Sequence, residues 1–182
     1  MICIIFLMIT TPSITINAYE TFGGSWSYSD VRDLGWRVKE GIDYYSRIWD
    51  AVEGATASWE DLVEIGCPDF NEVESGEKVY ILDYYQEYGP LMTTLNSPDW
   101  YSTYTKSEIK VNIYWLDQCY YKDPTHLQAC MAHELGHTLG LDHECDYGPQ
   151  VLMYPTDAFY YDCGIYEPTW DEYSGVNSIY GD

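Results

Sequence analysis

Three of the chain's four histidines fall in one short segment, His133-Glu134-Leu135-Gly136-His137-Thr138-Leu139-Gly140-Leu141-Asp142-His143. Two imidazoles four positions apart on a helix stand about 40° from each other around its axis, because each residue turns about 100°. His133 and His137 can therefore face one metal ion at roughly 2.0–2.1 Å, the usual distance between zinc and a ring nitrogen. Glu134 adjoins the first histidine and can reach a water held by that ion, so one helical surface carries two ligands and a general base. Two ligands are too few, since catalytic zinc generally takes three from the protein and keeps one position for water. Gly140 supplies a turn out of the helix, and His143 then returns to the metal from the opposite side. Three neutral ligands leave the full charge of the ion to act on its water, lowering that water's pKa toward about 7. Glu134 would take the proton as hydroxide attacks a polarised carbonyl, then pass it to the leaving amine. The fourth histidine, His126, shares the face of His133 two turns earlier and reads as a helix-start residue rather than a ligand.

These groups need a helix beneath them, and the flanking residues provide one. Asp123-Pro124 forms a start signal, with proline in the first turn where its missing N–H costs nothing. The helix should run to Leu139 and stop at Gly140, the residue type that best accepts a left-handed C-terminal conformation. From Asp30 to Val52, the positions Val31, Leu34, Val38, Ile42, Tyr45, Trp49 and Val52 recur every three or four residues. This spacing predicts an N-terminal amphipathic helix, capped by Ser29 or Asp30 and ended by Gly54. Strands are expected at Lys78 to Tyr85 and at Glu108 to Leu116, where apolar residues alternate with other types. A last helix should begin at Thr169, whose partner Glu172 completes a capping box, and end near Tyr180-Gly181. The element order specifies an α+β domain.

The chain has 182 residues, enough for one domain with its own core, and 46% of them are hydrophobic. Acidic residues outnumber basic ones 30 to 8, for a formal net charge of −22. Such a surface repels phosphate backbones and anionic lipid, which makes nucleic acid and membrane surfaces poor partners. Residues 1–18 contain the short apolar run Ile2 to Ile9 and end Ile16-Asn17-Ala18. They read as a signal peptide cleaved after Ala18, leaving a secreted domain at 19–182. The run is too short to span a bilayer core of about 30 Å, and nothing later reaches transmembrane length. Beyond Cys3, five cysteines remain at positions 67, 119, 130, 145 and 163. In an oxidising compartment they allow two disulfides and one thiol. The preferred pairs are Cys145–Cys163 and Cys119–Cys130, with Cys67 left free.

Residues 133 to 143 match the signature His-Glu-x-x-His-x-x-Gly-x-x-His of metzincin zinc peptidases. Val151-Leu152-Met153-Tyr154-Pro155 resembles the methionine turn that lies beneath the zinc in that group. It is closest to the matrixin form, and Thr169 to Gly181 is similar to the matrixin ending. The resemblance is strong over about 127–181 and architectural before that. It implies a twisted mixed sheet above a cleft, an N-terminal helix, an active-site helix, a Met-turn at Met153 and a C-terminal helix. It further implies one catalytic zinc and an extended protein or peptide substrate lying antiparallel to the edge strand of the sheet. Pro155, Phe159 and Tyr161 would wall the pocket for the residue after the scissile bond. The chain departs from matrixins at Glu144, where they carry serine and astacins carry glutamate. With only His126 spare, a second, structural zinc site of the matrixin kind is not expected, whereas so acidic a chain leaves room for calcium. Gly66-Cys67-Pro68-Asp69 is similar to the cysteine segment that caps zinc in latent matrixins. Only 65 residues would then separate it from His133, so 30–52 is read as the first catalytic-domain helix and Cys67 as structural or free. The function implied is a secreted, monomeric zinc endopeptidase acting on extracellular and matrix proteins. A zinc-stapled binding protein without activity and an exopeptidase of the same fold stay open as alternatives.

Overall fold

The computed structural model describes residues 19–60, 68–98, 101–118 and 123–181. The expected signal peptide, Cys67 and Cys119 lie outside these residues. Five strands form one mixed sheet in the order β2-β1-β3-β5-β4. They are β1 (Leu34–Val38), β2 (Phe70–Glu72), β3 (Val79–Tyr84), β4 (Met92–Ser97) and β5 (Lys106–Asn112). Neighbouring pairs are parallel except β4, which runs antiparallel to β5 along the sheet edge. The helices are α1 (Tyr28–Val31), α2 (Tyr45–Glu60), α3 (Ile113–Leu116), α4 (Pro124–Thr138), α5 (Ala158–Tyr161) and α6 (Trp170–Tyr180). The architecture is α+β, as the sequence indicates. Among the described residues, no helix is long and apolar enough to cross a membrane.

The expected helix at 30–52 is not one helix. Its span holds α1, then β1, then the first half of α2. Leu34 and Val38 are four apart, as on a helix, but Leu34, Trp36 and Val38 also alternate, and β1 lies between β2 and β3, buried along nearly its whole length. Over five residues, apolar positions two apart and four apart coincide, so the spacing alone does not distinguish a short strand from a helix. Gly41 and Tyr44 both take positive φ, 72° and 61°, which interrupts any helix before α2 starts. The cap of α1 is Ser27, whose hydroxyl accepts from the Asp30 amide.

Gly54 does not terminate α2, which continues to Glu60. A Cβ at Gly54 would stand 2.7 Å from the side-chain oxygen of Gln128 on α4, so the glycine marks the helix crossing. Nearby, the Trp59 indole donates to the Ala132 carbonyl at 2.9 Å, and the ring is only 1% exposed. The predicted strand at 108–116 ends early at Asn112. That side chain is fully buried; its oxygen accepts from the Gln86 amide (3.0 Å) and the Tyr114 amide (3.3 Å), capping α3. Strands β2 and β4 were not expected from the sequence. The cysteine pairing also differs: Cys130, Cys145 and Cys163 are unbridged, the last two on exposed surface.

Candidate active site

Helix α4 sits under the sheet edge with its second half buried. Asp123 caps it, accepting from the Thr125 amide at 3.0 Å, and Pro124 occupies its first turn. Its C-terminus turns at Gly140, where φ is +97° and a Cβ would meet the Gly24 carbonyl oxygen at 2.6 Å. Glycine is required there for both reasons. The turn returns the chain so that the His143 Nε2 lies 3.3 Å from the His133 Nε2 and 3.2 Å from the His137 Nε2.

Second contacts fix how two of these rings present themselves. The His133 Nδ1–H donates to the Leu152 carbonyl and the His137 Nδ1–H to the Leu141 carbonyl, each at 2.8 Å. Both Nε2 atoms are therefore bare acceptors. At most one proton, from His143, can lie among the three nitrogens, and a cation satisfies all three lone pairs together. Two nitrogens bound to a tetrahedral zinc at about 2.05 Å stand about 3.3–3.4 Å apart, close to the observed separations. The three form a group able to hold a metal ion. Burial pushes all three imidazoles below the ordinary histidine range, His137 to about 4, which keeps them neutral and available as ligands at pH 7.

Glu134 lies on the same helix, 8% exposed and beside the cluster. Burial raises its carboxyl to about 7, opposed by the Thr94 hydroxyl, which donates to Oε2 at 2.7 Å. The same hydroxyl lies 3.0 Å from the Glu134 carbonyl, so this residue of β4 clasps the carboxylate from the sheet edge. Two positions along β4, the Asn96 side-chain amide donates to the His137 carbonyl at 2.8 Å. Thr94 and Asn96 belong to an unpredicted strand; the signal available was Met92, Thr94 and Asn96 at every second position.

Met153 is buried against the underside of α4. A Cβ at Gly136 would lie 2.4 Å from the Met153 sulfur, so the Gly136–Met153 contact requires glycine on the helix. The turn is pinned from the other side by Glu172, fully buried at the start of α6. Its Oε1 accepts from the Met153 amide at 2.9 Å, while Oε2 accepts from the Thr169 amide at 2.8 Å. The capping box expected from sequence thus also anchors the methionine turn.

Two cavities flank the histidines. One of about 280 Å³ lies on the His133 side, lined by Pro155, Phe159, Leu91 and Trp115 among others. Phe159 stacks on His133, with ring planes 7° apart. Tyr161, expected in this wall, stands outside it and points its hydroxyl at the His126 Nδ1, 3.2 Å away. His126 is wholly buried, near Cys130 (3.4 Å) and Asp157 (3.5 Å), away from the three-histidine cluster. The second cavity, about 330 Å³, lies on the His137 and His143 side and is bounded by Phe22, Thr94 and Asp142. Phe22 had no role in the sequence reading.

A mixed sheet whose edge strand overhangs a buried helix, with three convergent imidazoles, an adjoining glutamate and a methionine beneath, defines a metzincin-type fold with a histidine cluster able to hold a metal ion. The sequence model of the matrixin family matches residues 36–181, and the chain belongs to that family. It is 42% identical over 57 residues to the macrophage metalloelastase of Oryctolagus cuniculus, covering 31% of this chain and 12% of that protein. It is 44% identical over 55 residues to the interstitial collagenase of the same species, covering 30% and 11%. Matrix metalloproteinase-20 of Homo sapiens is 44% identical over 50 residues, covering 28% and 10%. The matched segments thus span about a tenth of the length of these relatives. The arm carrying Phe22 precedes the span matched by the family.

Proposed function

We propose that this chain is a secreted zinc endopeptidase in which His133, His137 and His143 hold one catalytic zinc and Glu134 is the general base. Residues 1–18 are the export signal and 19–182 the catalytic domain. The observation that carries this reading is the convergence of three Nε2 lone pairs beside the buried Glu134 carboxyl. When bound, the zinc supplies a Lewis acid for the scissile carbonyl and its attacking water. Glu134 Oε2 is held by Thr94, which leaves Oε1 to take the proton of the attacking water and carry it to the leaving amine. A carboxylate beside the metal-bound water can accept its proton and then return it to the amine. Met153 and Glu172 keep α4 and the return loop in register, so the three imidazoles need little rearrangement to bind metal.

The substrate lies extended and antiparallel to β4, whose outer edge is unpaired among the described strands. In that direction its carboxyl side reaches the cavity at Pro155 and Phe159, and its amino side reaches the cavity at Phe22. A cleft with room on both sides supports cleavage within a chain rather than trimming from an end. Protein substrates outside the cell follow from the proposed export.

The test is the zinc-loaded Glu134→Ala variant assayed on a proteome-derived peptide library by mass spectrometry, with and without chelator. The expected outcome is retained zinc with a rate on the order of 10²–10⁴ lower. Undiminished cleavage would remove Glu134 from the role. Turnover that survives chelation would remove the zinc, and fragments trimmed only from chain ends would make the enzyme an exopeptidase.

A further inference from the structure

A second set of donor atoms lies on the first half of α4, outside the three-histidine cluster. His126 and Cys130 are four residues apart and share one face of that helix, the spacing that also pairs His133 with His137. The His126 Nε2 lies 3.4 Å from the Cys130 sulfur and 3.5 Å from the Oδ2 of Asp157, at the start of α5. On tetrahedral zinc a ring nitrogen stands about 3.3–3.6 Å from an oxygen or sulfur ligand, so both separations suit one shared ion. The Tyr160 and Tyr161 rings pack against the imidazole, with centroids 4.8 and 4.7 Å away, and the Tyr161 hydroxyl lies 3.2 Å from Nδ1. That hydroxyl can accept the Nδ1 proton, which leaves Nε2 to face the thiol as an acceptor. Cys130 is half-buried and unbridged, and with Asp157 it lines the first cavity, so an ion has a path in from the cleft.

We infer that His126, Cys130 and Asp157 form a second, thiophilic metal site, whose occupation by zinc or cadmium fills the inner wall of the first cavity and slows cleavage. The site stands on its own donors, and only its effect on cleavage rests on the peptidase reading above. The cation displaces the thiol proton to solvent, and thiolate and carboxylate together cancel its two charges beside a neutral imidazole. The three clustered imidazoles already gather within 4.8 Å of one another, whereas Asp157 must turn toward the thiol to complete this set. Its carboxyl caps no amide of α5 and is 40% exposed, which leaves it room to turn. That movement and the lost thiol proton both weaken binding, so the site fills only when metal exceeds the first equivalent. Cys130 also stands four residues before Glu134 on the same helical face, and both line the first cavity. An ion there therefore occupies the space assigned to the residue after the scissile bond.

The experiment starts from the full chain loaded with one equivalent of zinc and adds cadmium. Both bound metals are read by dialysis, and the cadmium–thiolate bond by its ultraviolet charge-transfer band. Wild type and Cys130→Ser carry the same other cysteines, so their difference isolates Cys130. The wild type should take up a second equivalent with the band, and Cys130→Ser should bind it roughly tenfold more weakly or worse, with the band reduced. Asp157→Asn should weaken uptake several-fold and keep the band. In parallel, cleavage of one peptide is measured with zinc at one equivalent and in excess. Excess zinc should slow the wild type several-fold and Cys130→Ser little. Second-equivalent binding and a band that Cys130→Ser leaves unchanged overturn the inference. Should that variant fail to fold, an affinity unmoved by Asp157→Asn overturns it instead. Excess zinc that slows wild type and Cys130→Ser equally overturns it too, with the peptidase reading intact. If cadmium binds through Cys130 but the chain cleaves no peptide at any zinc level, the peptidase reading fails and the metal site stands.

Discussion

Glu134 should weaken the metal-free fold that it serves, and replacing it with glutamine should reveal the cost. The carboxyl titrates near 4.5 in an ordinary setting and near 7 in the folded chain, with burial as the main cause. A raised folded-state value means that stability is fully present below about pH 4.5 and is lost as the pH climbs through 7. At about 1.4 kcal/mol per pH unit, the interval amounts to on the order of 3 kcal/mol lost by pH 8. The histidines act with opposite sign, because their depressed values make stability fall as the pH drops below about 6.5. The two effects overlap between pH 4.5 and 6.5, so the wild-type curve alone cannot separate them. The difference between wild type and Glu134→Gln isolates the glutamate, since both chains carry the same histidines. Chelator-treated proteins are unfolded in urea at a series of pH values from 4.5 to 8.5. The stability difference should favour the variant increasingly with pH, growing by about 3 kcal/mol and levelling off above pH 7.5. Glutamine can still accept the Thr94 hydroxyl bond, so the contrast is one of charge. A difference that stays flat across the range would refute the account of Glu134 as a buried carboxyl held near neutrality.

Three further outcomes follow from the same geometry. Gly136→Ala drives a methyl group into the Met153 sulfur, 2.4 Å from the added Cβ, and should cost about 1–3 kcal/mol by overpacking. Thermal denaturation should record a fall of several degrees, with weaker zinc retention, and an unchanged midpoint would contradict the packing. Glu172→Ala leaves the buried Met153 amide without its acceptor and removes the α6 capping box, for about 1–3 kcal/mol. Glu172→Gln should recover part of that loss in urea unfolding, and equal loss in both variants would argue against the hydrogen bonds. Zinc removal should lower stability by an amount that grows with the logarithm of free zinc over its Kd, about 4 kcal/mol when free zinc had stood a thousandfold above it, with a matching fall in the unfolding midpoint. Differential scanning calorimetry across a zinc titration measures it, and a midpoint independent of zinc would mean that the three histidines hold no ion in the folded state.

The sequence by itself determined what depends on short chain separations. The three histidines lie within one helix and its exit turn, so helical periodicity and Gly140 suffice to bring His133, His137 and His143 together. The α6 capping box is also local, spanning Thr169 to Glu172, and it was legible for the same reason. Residues 30–52 read as helix because Leu34 and Val38 fit the four-residue spacing of a helix as well as the alternation of a short strand. Only the pairing of β1 with β2 and β3 separates the two, and those partners lie tens of residues away. The cluster's surroundings were decided in the same way. Thr94 meets Glu134 from forty positions away, and Trp26 reaches Thr138 across 112. Glu172 reaches Met153 through the oxygen its cap leaves over, and Phe22 reaches His137 only because the arm pairs with the Gly140 turn. Local rules thus specified the metal-facing groups, while burial of Glu134, the floor under α4 and the walls of the cleft arose from tertiary packing. No local pattern encodes those contacts, because each side chain's partner is set by how separate elements stack.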